Sequence, residues 1–189
     1  MIKIFGYGED ALTLWFLRNQ LGELLNKFSD NTAPSDCIVF YRPSFGRSGG
    51  PESAEFGEFD AILASRENVY LIESKWDNHR LINRTELILQ PEQTERHEIF
   101  RWYLSNWNNG KESAEFVKGK KIAPANSLLA ANLEYILSQL RQCCPNSANP
   151  DHVKNVLLYF HGPKSCSPQK VSDRFTIVTA EYEGKYVSL

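Results

Sequence analysis

The sequence predicts an α/β fold: a central mixed β-sheet flanked by helices on both faces. Three observations lead there. Short apolar runs and longer stretches with apolar residues at helical spacing succeed one another as helix, strands, helices, strands. The short runs, such as Val69–Trp76 and Val156–Phe160, are rich in β-branched and aromatic residues. Finally, 189 residues that are 42% hydrophobic and 12% aromatic fit one domain, 1–189, with a core that needs no disulfide or structural metal.

The elements follow in order. Residues 2–6 read as a short strand or as the lead-in to a helix. That helix runs from Glu9 to Phe28, with Leu12, Trp15, Phe16, Leu21, Leu24 and Leu25 as its apolar stripe. Asp30–Pro34 is a break, and Cys37–Tyr41 reads as a buried strand. Arg42–Glu52, rich in Gly, Ser and Pro, is a loop. Phe56–Ala64 and Val69–Trp76 form two strands joined by a four-residue loop, with Asn68 near the left-handed region. Pro91 opens a second helix that reaches Trp107. A polar insertion over 108–126 carries Lys118-Gly119-Lys120-Lys121. The third helix takes Asn126 or Ser127 as N-cap and buries Leu129, Leu133, Ile136, Leu137 and Leu140. Val156–Phe160 and Phe175–Ala180 are further strands, and 181–189 adds an edge hairpin.

Charge narrows the classes of function. Lys and Arg total 21 against 23 Asp and Glu, a net charge of −2, so the whole-molecule field does not attract polyanions. A nucleic-acid function needs a local basic surface. The first 60 residues hold five basic and nine acidic side chains, so that surface must come largely from later loops. No run approaches the roughly 18 apolar residues that span a membrane, and the first ten residues carry acids where a signal peptide carries bases. A cytoplasmic protein is expected. Cys37, Cys143, Cys144 and Cys166 lack a Cys-x-x-Cys spacing and read as reduced thiols rather than as zinc ligands with His152 or His161.

The chemistry concentrates in Gly57-Glu58-Phe59-Asp60 and Ile72-Glu73-Ser74-Lys75. Along the second strand Val69, Leu71, Glu73 and Lys75 share one face. If Ala64 pairs with Val69, Asp60 lies opposite Glu73 and Glu58 opposite Lys75. Opposed side chains have Cβ atoms roughly 5 Å apart, so two carboxylates there repel, and burial adds a desolvation cost. A divalent cation relieves both. Hard oxygen ligands select Mg²⁺, with Mn²⁺ as a substitute, over zinc.

Asp60 followed by Glu73-x-Lys75 on a hairpin resembles the PD-(D/E)xK nuclease superfamily, whose fold is restriction endonuclease-like. The helix opening Gly8-Glu9-Asp10-Ala11-Leu12 also matches that family, and the similar order of elements covers roughly residues 9 to 160. The resemblance implies a Mg²⁺-dependent deoxyribonuclease, an endonuclease of restriction, repair or defence. Asp60, Glu73 and the Ser74 carbonyl would ligate the metal, and Lys75 would orient or deprotonate the attacking water or offset charge on the scissile phosphate. DNA is the implied partner, with a homodimer where both strands are cut. Two departures stand out: no Pro precedes Asp60, and the Gln-x-x-x-Tyr of some exonuclease branches is here Gln93 followed by His97.

Each feature has a plainer reading. Asp60, Glu73 and Lys75 can form a structural ion-pair cluster, with Glu58–Lys75 as a cross-strand pair. Gln93 and His97 share a helix face, and point to the metal or simply pack. Glu9 joins the site or only complements a helix N-terminus. Phe100, Trp102, Tyr103 and Trp107 stack on bases or belong to the core. Arg42, Arg47, Lys118, Lys120 and Lys121 grip phosphates or are solvated. The alternatives in function are an RNase or exonuclease on the same site, or a non-catalytic nucleic-acid-binding or subunit module.

Overall fold

A computed structural model describes residues 3–45, 57–77, 86–87, 89–107, 128–163, 168, 170–171, 174–183 and 186–189. Its elements are β1 (Phe5–Gly6), α1 (Glu9–Asn19), α2 (Leu21–Lys27), β2 (Ile38–Tyr41), β3 (Ala61–Ala64), β4 (Val69–Trp76), β5 (Glu86–Leu87), α3 (Pro91–Asn106), α4 (Leu128–Cys143), β6 (Val153–His161), β7 (Lys170–Val171), β8 (Thr176–Glu181) and β9 (Val187–Ser188). Five strands form one sheet in the order β2-β3-β4-β6-β8. β2, β3 and β4 run antiparallel in sequence, whereas β4–β6 and β6–β8 are parallel. The sheet is therefore mixed, as the order of elements predicts. The long crossover from β4 to β6, which a parallel pair requires, carries α3 and α4.

Strand alternation distributes the core between two layers. Ile62, Ala64, Val69 and Leu71 face one way and pack beneath α3 and α4 with Phe100, Tyr103, Leu133 and Leu137. Ala61, Leu63, Tyr70 and Ile72 face the other way and pack with Phe16, Leu24 and Leu25 of α1 and α2. Helices thus cover both faces. The aromatic run of α3 resolves toward the core: Phe100, Tyr103 and Trp107 are fully buried.

The register is the expected one, Ala64 opposite Val69 and Ala61 opposite Ile72. Asp30, within the expected break at 30–34, braces the hairpin from outside. Its carboxylate accepts hydrogen bonds from Ser65 Oγ (2.5 Å), Tyr70 Oη (2.6 Å), Asn68 Nδ2 (3.1 Å) and the Thr32 amide (3.0 Å). One buried acid thereby ties the β3–β4 turn to the end of α2.

Several expectations need correction. The helix over 9–28 is two helices, because Gln20 leaves helical geometry (φ −129°, ψ 18°), and α2 ends at Lys27. Cys37–Tyr41 is no buried strand: among the described strands β2 is an edge that pairs with β3, and Val39 is exposed. Asn68 is not left-handed; among the described residues other than glycine, Ser29 (φ 54°) and Arg42 (φ 49°) are. β3 is shorter than 56–64. Before Ala61 the chain turns through Gly57 (φ 90°) and bonds to residues 42–45 instead of extending the β4 ladder. The tail is no hairpin, since β9 pairs antiparallel with β1 and settles the N-terminal segment as a strand. In α4, Ala130 is buried and Leu129 only partly so. The insertion over 108–126, the N-cap candidates Asn126 and Ser127, and Cys166 lie outside the described residues. No helix among the described residues is long and apolar enough to cross a membrane.

Candidate active site

The C-terminal end of β4 receives residues from four directions. β3 stops at Ala61, so Asp60 leaves the ladder, and its side chain substitutes for the missing backbone partner: Oδ2 accepts the Ser74 amide at 2.6 Å. Glu73 continues the apolar face of Val69 and Leu71 toward α3 and is only 2% exposed. Lys75 Nζ donates to the Ser74 carbonyl at 2.5 Å and lies 3.5 Å from Glu9 Oε1 at the start of α1. Ser74 points to the opposite layer, where Thr13 Oγ1 donates to its Oγ at 2.8 Å and anchors α1 to β4.

Helix α3 completes the enclosure of Glu73. Gln93, Arg96 and His97 occupy one helical face, three and four residues apart. Gln93 Nε2 donates to Glu73 Oε2 at 2.8 Å, while its Oε1 caps the helix by accepting the Gln90 amide. Buried His97 spans two polar groups, with Nε2 3.3 Å from Glu73 Oε1 and Nδ1 3.0 Å from Asn155 Oδ1. Arg96 Nη1 lies 3.6 Å from Glu73 Oε1.

Electrostatics act strongly on Asp60. Burial pushes the Asp60 carboxyl up, and the neighbouring Glu73 charge adds to this. The Ser74 amide and Lys75 oppose the rise only in part, leaving it at about 7. Asp60 is therefore a carboxyl short of positive charge, and a divalent cation would supply it. Among the described residues no three His, Cys, Asp or Glu side chains gather as a metal group. The oxygen groups at this strand end are the Asp60 carboxyl, the Glu73 carboxylate already bonded to α3 and the Ser74 carbonyl already accepting from Lys75, an all-oxygen set whose chemistry suits Mg²⁺ or Mn²⁺ with water completing the shell. On donor chemistry and charge, these residues fit the ion.

Of the residues singled out in the sequence, Asp60, Glu73, Ser74, Lys75, Glu9, Gln93 and His97 converge. Glu58 does not stand opposite Lys75. The ladder ends before it, and Glu58 instead bridges to Ser44 and pairs with Arg42. Arg42 also pairs with Asp10, so its guanidinium is committed to two carboxylates. Arg47, Lys118, Lys120 and Lys121 lie outside the described residues. Sequence reasoning missed Arg96, Thr13 and Asn155. Spacing from Gln93 reveals the first, and Asn155 stands immediately before the apolar run of β6; nothing local marks Thr13. No family model, curated protein or solved structure matches the chain.

Proposed function

We propose that the protein is a Mg²⁺-dependent nuclease that hydrolyses DNA phosphodiester bonds, an endonuclease of restriction, repair or defence, on a restriction endonuclease-like fold. One observation carries the reading: Asp60, raised to about 7 by burial and by Glu73, gathers at one strand end with Glu73, the Ser74 main chain and Lys75. Glu73 has Arg96 and His97 beside it and Lys75 approaches Glu9, yet the cations leave Asp60 raised by the neighbouring acid, which a purely structural ion-pair cluster would not favour.

Asp60, Glu73 and the Ser74 carbonyl are the metal donors in this reading. The bound cation supplies Lewis acidity that offsets charge developing on the phosphate. Asp60 holds one carboxylate oxygen on the Ser74 amide and keeps the other for the site. Gln93 and His97 fix the rotamer of Glu73. Lys75 has three N–H donors, two of them directed to Ser74 and Glu9. Its third positions the attacking water or stabilises a non-bridging phosphate oxygen.

A second reading is a non-catalytic nucleic-acid-binding module, favoured by Glu73, whose two oxygens both have partners on α3. Incubating plasmid, linear and single-stranded DNA, with RNA in parallel, in Mg²⁺, Mn²⁺ or EDTA distinguishes the two. The nuclease reading expects metal-dependent DNA cleavage that Asp60→Asn abolishes and Lys75→Ala lowers by about 10²-fold or more. Cleavage of RNA alone moves the substrate assignment to an RNase. Binding without cleavage under every metal condition favours the module and defeats the nuclease reading.

A further inference from the structure

Three α3 side chains meet Glu73, yet they do not use their donors equally. Gln93 is hydrogen-bonded to Glu73, and His97 spans Glu73 and Asn155. Arg96 differs. The 3.6 Å from its Nη1 to Glu73 Oε1 exceeds hydrogen-bond length, and its buried Nε has no partner among the described residues. The guanidinium is nonetheless held in place. Its Cζ lies 5.6 Å from the Phe59 ring centroid, and it rests against Gly57, where a Cβ would come within 3.6 Å of Cζ. The side chain is only 13% exposed. An enclosed arginine ordinarily hydrogen-bonds with most of its five N–H groups. Here a held guanidinium lies beside Glu73, and among the described residues neither its buried Nε nor its two Nη groups make a hydrogen bond.

We propose that Arg96 binds the scissile phosphate, directing its guanidinium to a non-bridging oxygen; this rests on the nuclease reading and deepens it. A planar fork matches a phosphate better than an ammonium does, and the cation–π contact with Phe59 keeps it in place with Glu73 beyond hydrogen-bond reach. A guanidinium that merely offsets the Glu73 charge would matter for stability and not for substrate.

The test measures binding of a fluorescently labelled DNA duplex with Mg²⁺ over a salt series. Arg96, Arg96→Lys and Arg96→Met are compared in a Lys75→Ala background, and cleavage kinetics are run in the otherwise unaltered chain. Arg96→Met is expected to reduce the slope of log K against log salt by about 0.9, the share of one phosphate contact. It should also lower kcat/KM by about 10²-fold, while Arg96→Lys restores the slope and only part of kcat. Circular dichroism checks folding, and Arg96→Gln replaces the methionine variant if that chain does not fold. An unchanged slope and unchanged kcat/KM in a folded variant overturn the assignment, as does a loss of thermal stability with neither changed. If the parent chain cleaves DNA and the arginine variants cleave equally well, only Arg96 is misassigned. If the parent binds but never cleaves, the nuclease reading fails while the slope still reports on Arg96. If the unaltered chain neither binds nor cleaves the duplex, both assignments fail.

Discussion

Buried Asp30, bonded to the turn of the β3–β4 hairpin, and half-buried Asp60 at its open end show how environment decides what a carboxylate does. Burial raises Asp30 too, but hydrogen bonds from Ser65, Tyr70 and Thr32 outweigh it and bring the group from 3.8 to about 2. Because the folded value is depressed, Asp30 stabilises the protein above pH 3.8, and that contribution is lost as pH falls through about 2. Asp30→Asn sets an amide among groups that all donate. It should cost about 1–3 kcal/mol at neutral pH and flatten the acid limb of the stability profile below pH 4, as read by urea unfolding across pH. An unchanged acid limb would remove Asp30 from the account of the turn. Asp60 has fewer donors and a like-charged neighbour, so it rises where Asp30 falls. Asp60→Asn, inactive in the nuclease reading, is expected to stabilise the metal-free protein by about 1 kcal/mol, roughly 2–4 °C in Tm, measured in EDTA at pH 8.

Elements matter here through what they carry to the strand end. α1 delivers Glu9 toward Lys75 and is held there by Thr13 on Ser74 and by the β1–β9 pair packed against its first turn. Gly6 permits that packing: a Cβ at this position would lie 2.5 Å from Ala11 Cβ and 3.0 Å from Leu189 Cδ1. Backbone and Cβ positions cannot yield as a flexible side chain does. Gly6→Ala should therefore push β1 from α1, cost roughly 1–3 kcal/mol and weaken the Glu9–Lys75 contact. Thermal melting and a cleavage assay check this together; full stability in the variant would mean that the segment repacks freely.

At the scale of the whole molecule the five-stranded sheet is shared by two large cores. Leu24 is fully buried with α1 and α2 on one face, and Leu133 with α3 and α4 on the other. β4 contributes side chains to both layers, so neither can unfold without exposing the other's strands. Leu24→Ala and Leu133→Ala are each expected to cost about 2–5 kcal/mol and to shift a single urea transition, identical by circular dichroism and tryptophan fluorescence. Two separated transitions would mean that the layers fold independently. Net charge belongs to this scale as well. At −2 the chain offers no long-range attraction for a polyanion, so in the nuclease reading cations close to the site, Lys75 and Arg96 among the described residues, would help to supply it.

The sequence by itself determined the layers, the strand that carries Glu73 and Lys75, and the register of the β3–β4 hairpin, whereas Asp60, expected opposite Glu73, lies beyond the end of that ladder and turns to the Ser74 amide. These follow from local periodicity: alternation specifies faces in a strand, three-and-four spacing specifies them in a helix, and a short hairpin links the two counts. Gln93 and His97 were legible for the same reason, being two positions on one helical face. Tertiary structure decided the rest. The Asp30 clamp, the pairing of β1 with β9, the capture of Glu58 by Arg42 and the arrival of Thr13 and Asn155 each join residues distant in the chain. No periodicity encodes such meetings. They depend on which layer each helix covers and on where β3 stops, and those are settled only when both cores pack against the same sheet.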